Sequence, residues 1–306
     1  MAAGGSNVRP RAFLDNLRDC RYRELLMAVA TGAVVIGTVV LFPGFDHLGA
    51  GLQAGVSPAL LAFFVLVAVV AGVVKGTIGF GYALITTPVF ATVIDPAVAV
   101  VVLAIPPWML NVFQVGDTGT GIAYVRREWT LIALALLGTV VGVSFFVEFS
   151  TGPLIPFLIA VVILGYAAFE LSKGFVVIEA THHPVALGVV GLLEGFFLAV
   201  ANLGPPLPAY LHTFERDTER YVGGLSMVFT FVFTAKILAL VLEGAMTAYQ
   251  LWLGSAIAVV TVVGLLVGTY LRRVEIDERR FNLAVVGLLL VIGLNILRKT
   301  IPVLFL

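Results

Sequence analysis

Runs of about twenty apolar residues recur from one end of this chain to the other, and nothing else in the sequence constrains its fold as strongly. They fall near 25–42, 58–75, 78–94, 97–115, 129–147, 153–171, 184–201, 202–213, 221–242, 248–271 and 281–297. A helix of about 20 residues crosses the roughly 30 Å of hydrocarbon in a bilayer. The runs are apolar on every face, unlike the amphipathic helices of a soluble bundle, and they do not alternate as barrel strands do. Only 12% of the 306 residues are charged, about half the share found in soluble domains. The expected fold is an all-α, polytopic integral membrane protein with about 9–11 spanning or half-spanning segments.

Several classes of function are set aside early. The formal net charge is zero, so nothing points to nucleic acid as a partner. Cys20 is the single cysteine, which leaves neither a disulfide framework nor a thiolate metal site. There is no His-Glu-x-x-His, no Gly-x-Ser-x-Gly and no phosphate loop, and no cofactor or metal is expected. The first apolar run follows Arg9, Arg11, Arg18, Arg21 and Arg23 and lacks a small-x-small cleavage site after it. It reads as an uncleaved first span, with residues 1–24 as a cytoplasmic segment and 25–57 as an extra helix and loop.

Two runs, 78–94 and 202–213, are interrupted by Gly and Pro, and the second is too short to span. If each folds back, Arg126, Arg127, Lys173, Arg216, Arg220, Arg272, Arg273, Arg279 and Arg280 share the side of the Arg-rich N-terminus. Only Arg298 and Lys299 then lie on the other side, as the positive-inside rule prefers.

A repeat emerges under that reading. Gly72-Val-Val-Lys75-Gly76 returns as Gly191-Leu-Leu-Glu194-Gly195, Gly138 and Gly142 match Gly264 and Gly268, and Gly165 matches Gly293. The offset drifts only from 119 to 128 residues. The charge bias makes the copies antiparallel, so the chain reads as an N-terminal helix plus two inverted repeats, 58–175 and 184–298. Charges at membrane depth beside broken helices, in matching places of two halves, point to a secondary transporter.

The repeats resemble the TauE/SafE, or sulfite exporter, family of membrane transporters. The likeness rests on Gly76-Thr-Ile-Gly79-Phe80-Gly81, Pro88 and Asp95-Pro96-Ala97-Val98-Ala99, and on Gly191, Gly195, Gly204-Pro205 and Pro208 in the second copy. It covers about residues 58–298. Phe80 and Tyr82 stand where the family pattern has glycines, and Glu194 where small or apolar residues are common. The resemblance implies a carrier of small anions such as sulfite or organosulfonates, commonly moved outward, in the cell membrane. An anion channel, and a membrane enzyme or scaffold subunit, are the alternatives. The partners implied are the anion and the lipid bilayer, with a homodimer left open.

The candidate substrate-binding residues cluster at the two breaks. In the first half they are Lys75, Gly76, Thr77, Gly79, Gly81 and Pro88, where a broken helix frees backbone N–H groups beside a lysine. In the second they are Asn202, Gly204 and Pro205. Asn111 and Gln114 lie one turn apart on one face and can hydrogen-bond a substrate oxygen or act as interhelical glue. Lys75 sits near the end of its run and either meets the anion or snorkels to the headgroups. Lys236 lies deep in its run, far from either end, and competes for the same role. Glu194 is either the proton-coupling residue of the carrier or the ion-pair partner of one of these lysines. His212 follows the second break and either shuttles protons or, as a lone His at a turn, is structural.

Overall fold

The computed structural model describes residues 19, 21–45, 58–172, 184–215, 217–271 and 278–305. These form thirteen helices, with no strand among the described residues. In order they are α1 (Arg23–Val40), α2 (Pro58–Ile78), α3 (Tyr82–Ala91), α4 (Pro96–Val102), α5 (Ile105–Asp117), α6 (Ile122–Arg127) and α7 (Trp129–Phe149). Then come α8 (Leu154–Ser172), α9 (Pro184–Ala201), α10 (Pro206–Phe214), α11 (Thr218–Leu242), α12 (Ala248–Leu271) and α13 (Glu278–Phe305). Seven segments are long and apolar enough to cross a membrane, with α4 and α5 together counting as one. The protein is an all-α polytopic membrane protein, as its apolar runs require.

The two doubtful runs are half-helices. α3 has 10 residues and α10 has 9. At 1.5 Å per residue they reach about 15 Å, half the hydrocarbon thickness. The run expected at 97–115 is not one helix. A turn at Leu103 and Ala104 separates α4 from α5, because Pro106 and Pro107 lack the N–H that would continue the ladder. They sit instead in the first turn of α5, where no helical bond is lost. Asp95 starts α4, its carboxylate accepting the N–H groups of Ala97 at 2.9 Å and Val98 at 3.0 Å. α13 continues through Arg298 and Lys299 to Phe305, past the expected end at 297, and α6 had no counterpart in the apolar pattern. Lys173, His182, His183, Arg216, Arg272 and Arg273 lie outside the described residues.

The two halves are interlocked. α2 packs along α12, and its repeat counterpart α9 packs along α7. Each half thus lends its first helix to the other half. Glycines make these crossings close. A Cβ on Gly76 would lie 2.6 Å from the carbonyl oxygen of Leu265 and 2.7 Å from Cα of Gly268. On the other side, a Cβ on Gly191 would lie 2.7 Å from the Leu131 carbonyl oxygen, and one on Gly142 would lie 2.8 Å from that of Phe196. The Gly-x-x-charge-Gly element and the small-xxx-small pairs are therefore two sides of the same contact. Close backbone approach replaces the hydrophobic drive that lipid removes.

The halves also meet head to tail. α5 and α11 occupy equivalent places in the repeat. Ser226 Oγ donates to Gln114 Oε1 at 3.0 Å, and Trp108 Nε1 donates to Thr234 Oγ1 at 3.0 Å. Numbers that rise along α5 fall along α11, so these equivalent helices are antiparallel. That is the arrangement inverted repeats produce. α8 packs on its own counterpart α13, with Gly293 against Leu164. α1 lies outside this core, burying only Ala30 and Val34, against α5 and α12.

Candidate functional site

Both breaks open where the first helix of each half ends. α2 stops at Ile78, and the chain turns through Gly79 (φ +92°) and Gly81 (φ +98°). Both angles lie in the left-handed region that favours glycine. Gly81 is the N-cap of α3 and brings no side chain to the cap. The second break turns at Asn202 (φ +57°), a residue that tolerates this region.

A lysine closes the carboxyl end of each broken helix. Lys75 Nζ donates to the Gly79 carbonyl oxygen at 2.6 Å and to Asn111 Oδ1 at 2.7 Å. Lys236 Nζ donates to the Leu198 carbonyl oxygen at 2.9 Å and to Asn202 Oδ1 at 2.6 Å. The repeat offset of 119 residues equates Gly79 with Leu198. The two amino groups thus meet equivalent carbonyls, each with an asparagine beside it, though one lysine comes from α2 and the other from α11. Cationic groups are favoured at helix carboxyl ends, where unpaired carbonyls concentrate. All of these side chains are buried: Lys75 is 2% exposed, Asn111 and Asn202 1%, and Lys236 and Glu194 0%.

Lys75 therefore does not snorkel, contrary to one of its two readings. α2 runs one turn beyond the expected end, and α5 covers the side chain with Asn111. Gln114 Nε2 adds a hydrogen bond to the Lys75 carbonyl oxygen at 3.0 Å, and the Phe229 ring lies 5.7 Å from Lys75 Nζ.

A cavity of about 30 Å³ opens between the breaks, room for about one small solute or a pair of waters. Lys75, Gly81, Asn111, Asn202 and Gly204 line it. The first turn of α3 lines it too, through Tyr82, Ala83 and Leu84. The first helical bond there runs from the Ile85 N–H to the Gly81 carbonyl at 3.3 Å. The amides of Tyr82, Ala83 and Leu84 have no acceptor within the helix. Asn111 presents its Oδ1 to the lysine, which can only donate, so its Nδ2 is the other arm. That Nδ2 makes no hydrogen bond to any described residue. Asn202 is held more fully, its Nδ2 donating to the Val100 carbonyl oxygen at 2.9 Å and to Thr87 Oγ1 at 3.4 Å.

The remaining expected residues lie around the cavity rather than on it. Gly76 serves the α2–α12 crossing. Thr77 Oγ1 donates back to the Val74 carbonyl at 2.9 Å. Gly79 offers its carbonyl to Lys75, and Pro88 is buried inside α3. Gln114 bridges Lys75 and Ser226. Pro205 is the N-cap of α10, and Lys236 stands behind Asn202. The side chain of His212 lies outside the described residues. Phe80, Pro107, Leu198, Pro208, Phe229 and Phe233 complete the lining, and of these Pro107, Leu198, Phe229 and Phe233 lie outside the glycine and proline motifs. Phe229 and Phe233, one turn apart in the same run as Lys236, were the sequence signal for a shared face.

Glu194 is not the ion-pair partner of either lysine. Its Oε2 accepts the Leu207 N–H at 2.7 Å, in the first turn of α10. Its Oε1 is buried without a hydrogen-bond partner. A carboxylate is well placed at a helix amino end.

A family model described as "Sulfite exporter TauE/SafE" matches residues 64–296. Neither the curated proteins nor the solved structures return a match. The matched stretch begins within α2 and ends within α13, so it takes in both breaks, both lysines and the cavity between them, and leaves α1 outside. The chain belongs to the sulfite exporter TauE/SafE family of membrane transporters.

Proposed function

We propose that this protein is a secondary transporter that exports sulfite, an organosulfonate or a related sulfur oxyanion across the plasma membrane, with its N-terminus in the cytoplasm. The anion sits in the cavity between the breaks. Lys75, Asn111 Nδ2 and the amides at the start of α3 hold its oxygens. The observation that carries this reading is the difference between the two helix amino ends. The first turn of α10 is filled by Glu194, whereas the first turn of α3 faces the cavity uncapped beside a lysine. Free amides, a positive dipole end and an amino group together form an oxyanion site.

The small volume of the cavity, about 30 Å³, favours a carrier over an open pore. Rocking of one half against the other exposes it to each side in turn. The positive-inside bias sets the N-terminal orientation, and the family supports export of small anions. Glu194, the one buried carboxyl beside the breaks among the described residues, is the proton-coupling residue in this scheme.

Binding of sulfite and methanesulfonate to purified protein, measured by calorimetry, tests the assignment. Saturable binding of either, lost in Lys75→Met, is the expected result. No binding of either, together with no flux of either in proteoliposomes, overturns it.

A further inference from the structure

Glu194 differs from every other polar group near the breaks. α10 begins Pro205-Pro206-Leu207-Pro208. Its three prolines carry no N–H, so Leu207 supplies the sole amide in that stretch, and Glu194 Oε2 already holds it at 2.7 Å. Glu194 Oε1 has no partner and presses on Gly204, where an added Cβ would run into it. Gly204 lines the cavity. A bound anion would therefore face the Glu194 carboxylate with only a glycine between them.

The groups around Glu194 do not neutralise it. α11 offers Tyr221 and Lys236, and the Lys236 amino group is turned to the Leu198 carbonyl and Asn202. α8 offers Tyr166 and Glu170, both within electrostatic reach of Tyr221. α10 offers Tyr210, besides the Leu207 amide. α7 has a single titratable side chain, Glu148, at its far end. Two like charges at this depth raise each other's energy steeply, because little solvent screens them.

We infer that Glu194 is a resident anion that opposes the transported one, so that a proton and the anion bind together and cross the membrane together. This rests on the anion site proposed above. The proton goes onto Glu194 Oε1 while Oε2 keeps the Leu207 amide, and no other bond changes. Protonation removes the opposing charge behind Gly204. By linkage, a bound anion must raise the affinity of Glu194 for its proton by the same factor. Tyr221 lines a polar vestibule of about 750 Å³ with Arg127, Glu128, Glu215 and Arg220, and it lies within electrostatic reach of Glu194.

The test uses methanesulfonate, which stays fully ionised, added to purified full-length protein in weakly buffered solution with a pH indicator. Wild type should take up close to one proton per anion bound at pH values where free Glu194 is charged. There its Kd should fall about tenfold for each unit drop in pH. Glu194→Gln, which keeps an acceptor for the Leu207 amide, should bind with a pH-independent Kd and take up no proton. Tyr221→Phe should keep the amplitude of proton uptake and slow it severalfold, which keeps the idea testable if the glutamine variant does not fold. Binding to wild type with a flat pH profile and no proton uptake overturns the inference and leaves the anion site standing. Absence of methanesulfonate binding at every pH removes the site and the inference together.

Discussion

Replacing Lys75 with methionine separates the two lysines by function. Methionine fills nearly the same volume without a donor. In the wild type, Lys75 Nζ lies 2.6 Å from the Gly79 carbonyl oxygen and 2.7 Å from Asn111 Oδ1, on the cavity wall. In the proposed site its loss removes one charge-assisted hydrogen bond to the anion, about 1.5–3 kcal/mol. That is about 10- to 150-fold in Kd. Lys236→Met removes an equally buried amino group with two hydrogen bonds. However, Lys236 stands behind Asn202 and away from the cavity lining, so Kd should change by less than about threefold. Both variants orphan a carbonyl and an asparagine oxygen, so both should lose about 1–3 kcal/mol per stranded acceptor in stability. Calorimetric titration with sulfite gives Kd, and thermal unfolding in detergent gives the stability loss. A larger Kd change in Lys236→Met than in Lys75→Met would refute the placement of the anion at the first break.

Four further outcomes follow, three from the packing and one from the proposed site. Gly76→Leu should destabilise the protein by about 1–3 kcal/mol through overpacking against Leu265 and Gly268, read as a lowered Tm. Gly165→Ala has open space around its site and should be neutral or up to about 1 kcal/mol stabilising in the same measurement. In a protein with Cys20→Ser, a cysteine pair at Gln114 and Ser226 should cross-link with a short reagent, and a pair at Gln114 and Thr234 should not. The reverse outcome would contradict the antiparallel pairing of α5 and α11. Asn111→Leu should weaken sulfite binding by about tenfold, the value of about one hydrogen bond, checked by the same titration.

Much of the fold was legible in the apolar pattern. The runs 184–201 and 248–271 coincide with α9 and α12, because lipid demands unbroken apolar helices there. The two half-helices followed from Gly and Pro. The split between α4 and α5 was also written in Pro106 and Pro107, but the hydrophobicity of the run hid it. The swap of α2 and α9 between halves was not legible. It depends on which glycine face meets which, and a single sequence shows only that two such faces exist. The apolar run ends at Lys75, which left a surface position open beside a buried one. The helix continues through Gly76, Thr77 and Ile78, and the covering residue Asn111 lies 36 positions away. Glu194 was legible as a buried carboxyl, but its partner was not. The amide of Leu207 is a backbone group, and no motif marks it.

The central claim, that an anion is carried from a site at the first break, is tested most directly by counterflow. Proteoliposomes preloaded with unlabelled sulfite should take up radiolabelled sulfite faster than unloaded ones, with saturation, and Lys75→Met should lose this stimulation. Flux that neither saturates nor responds to preloading, or stimulation that survives intact in Lys75→Met, would contradict it.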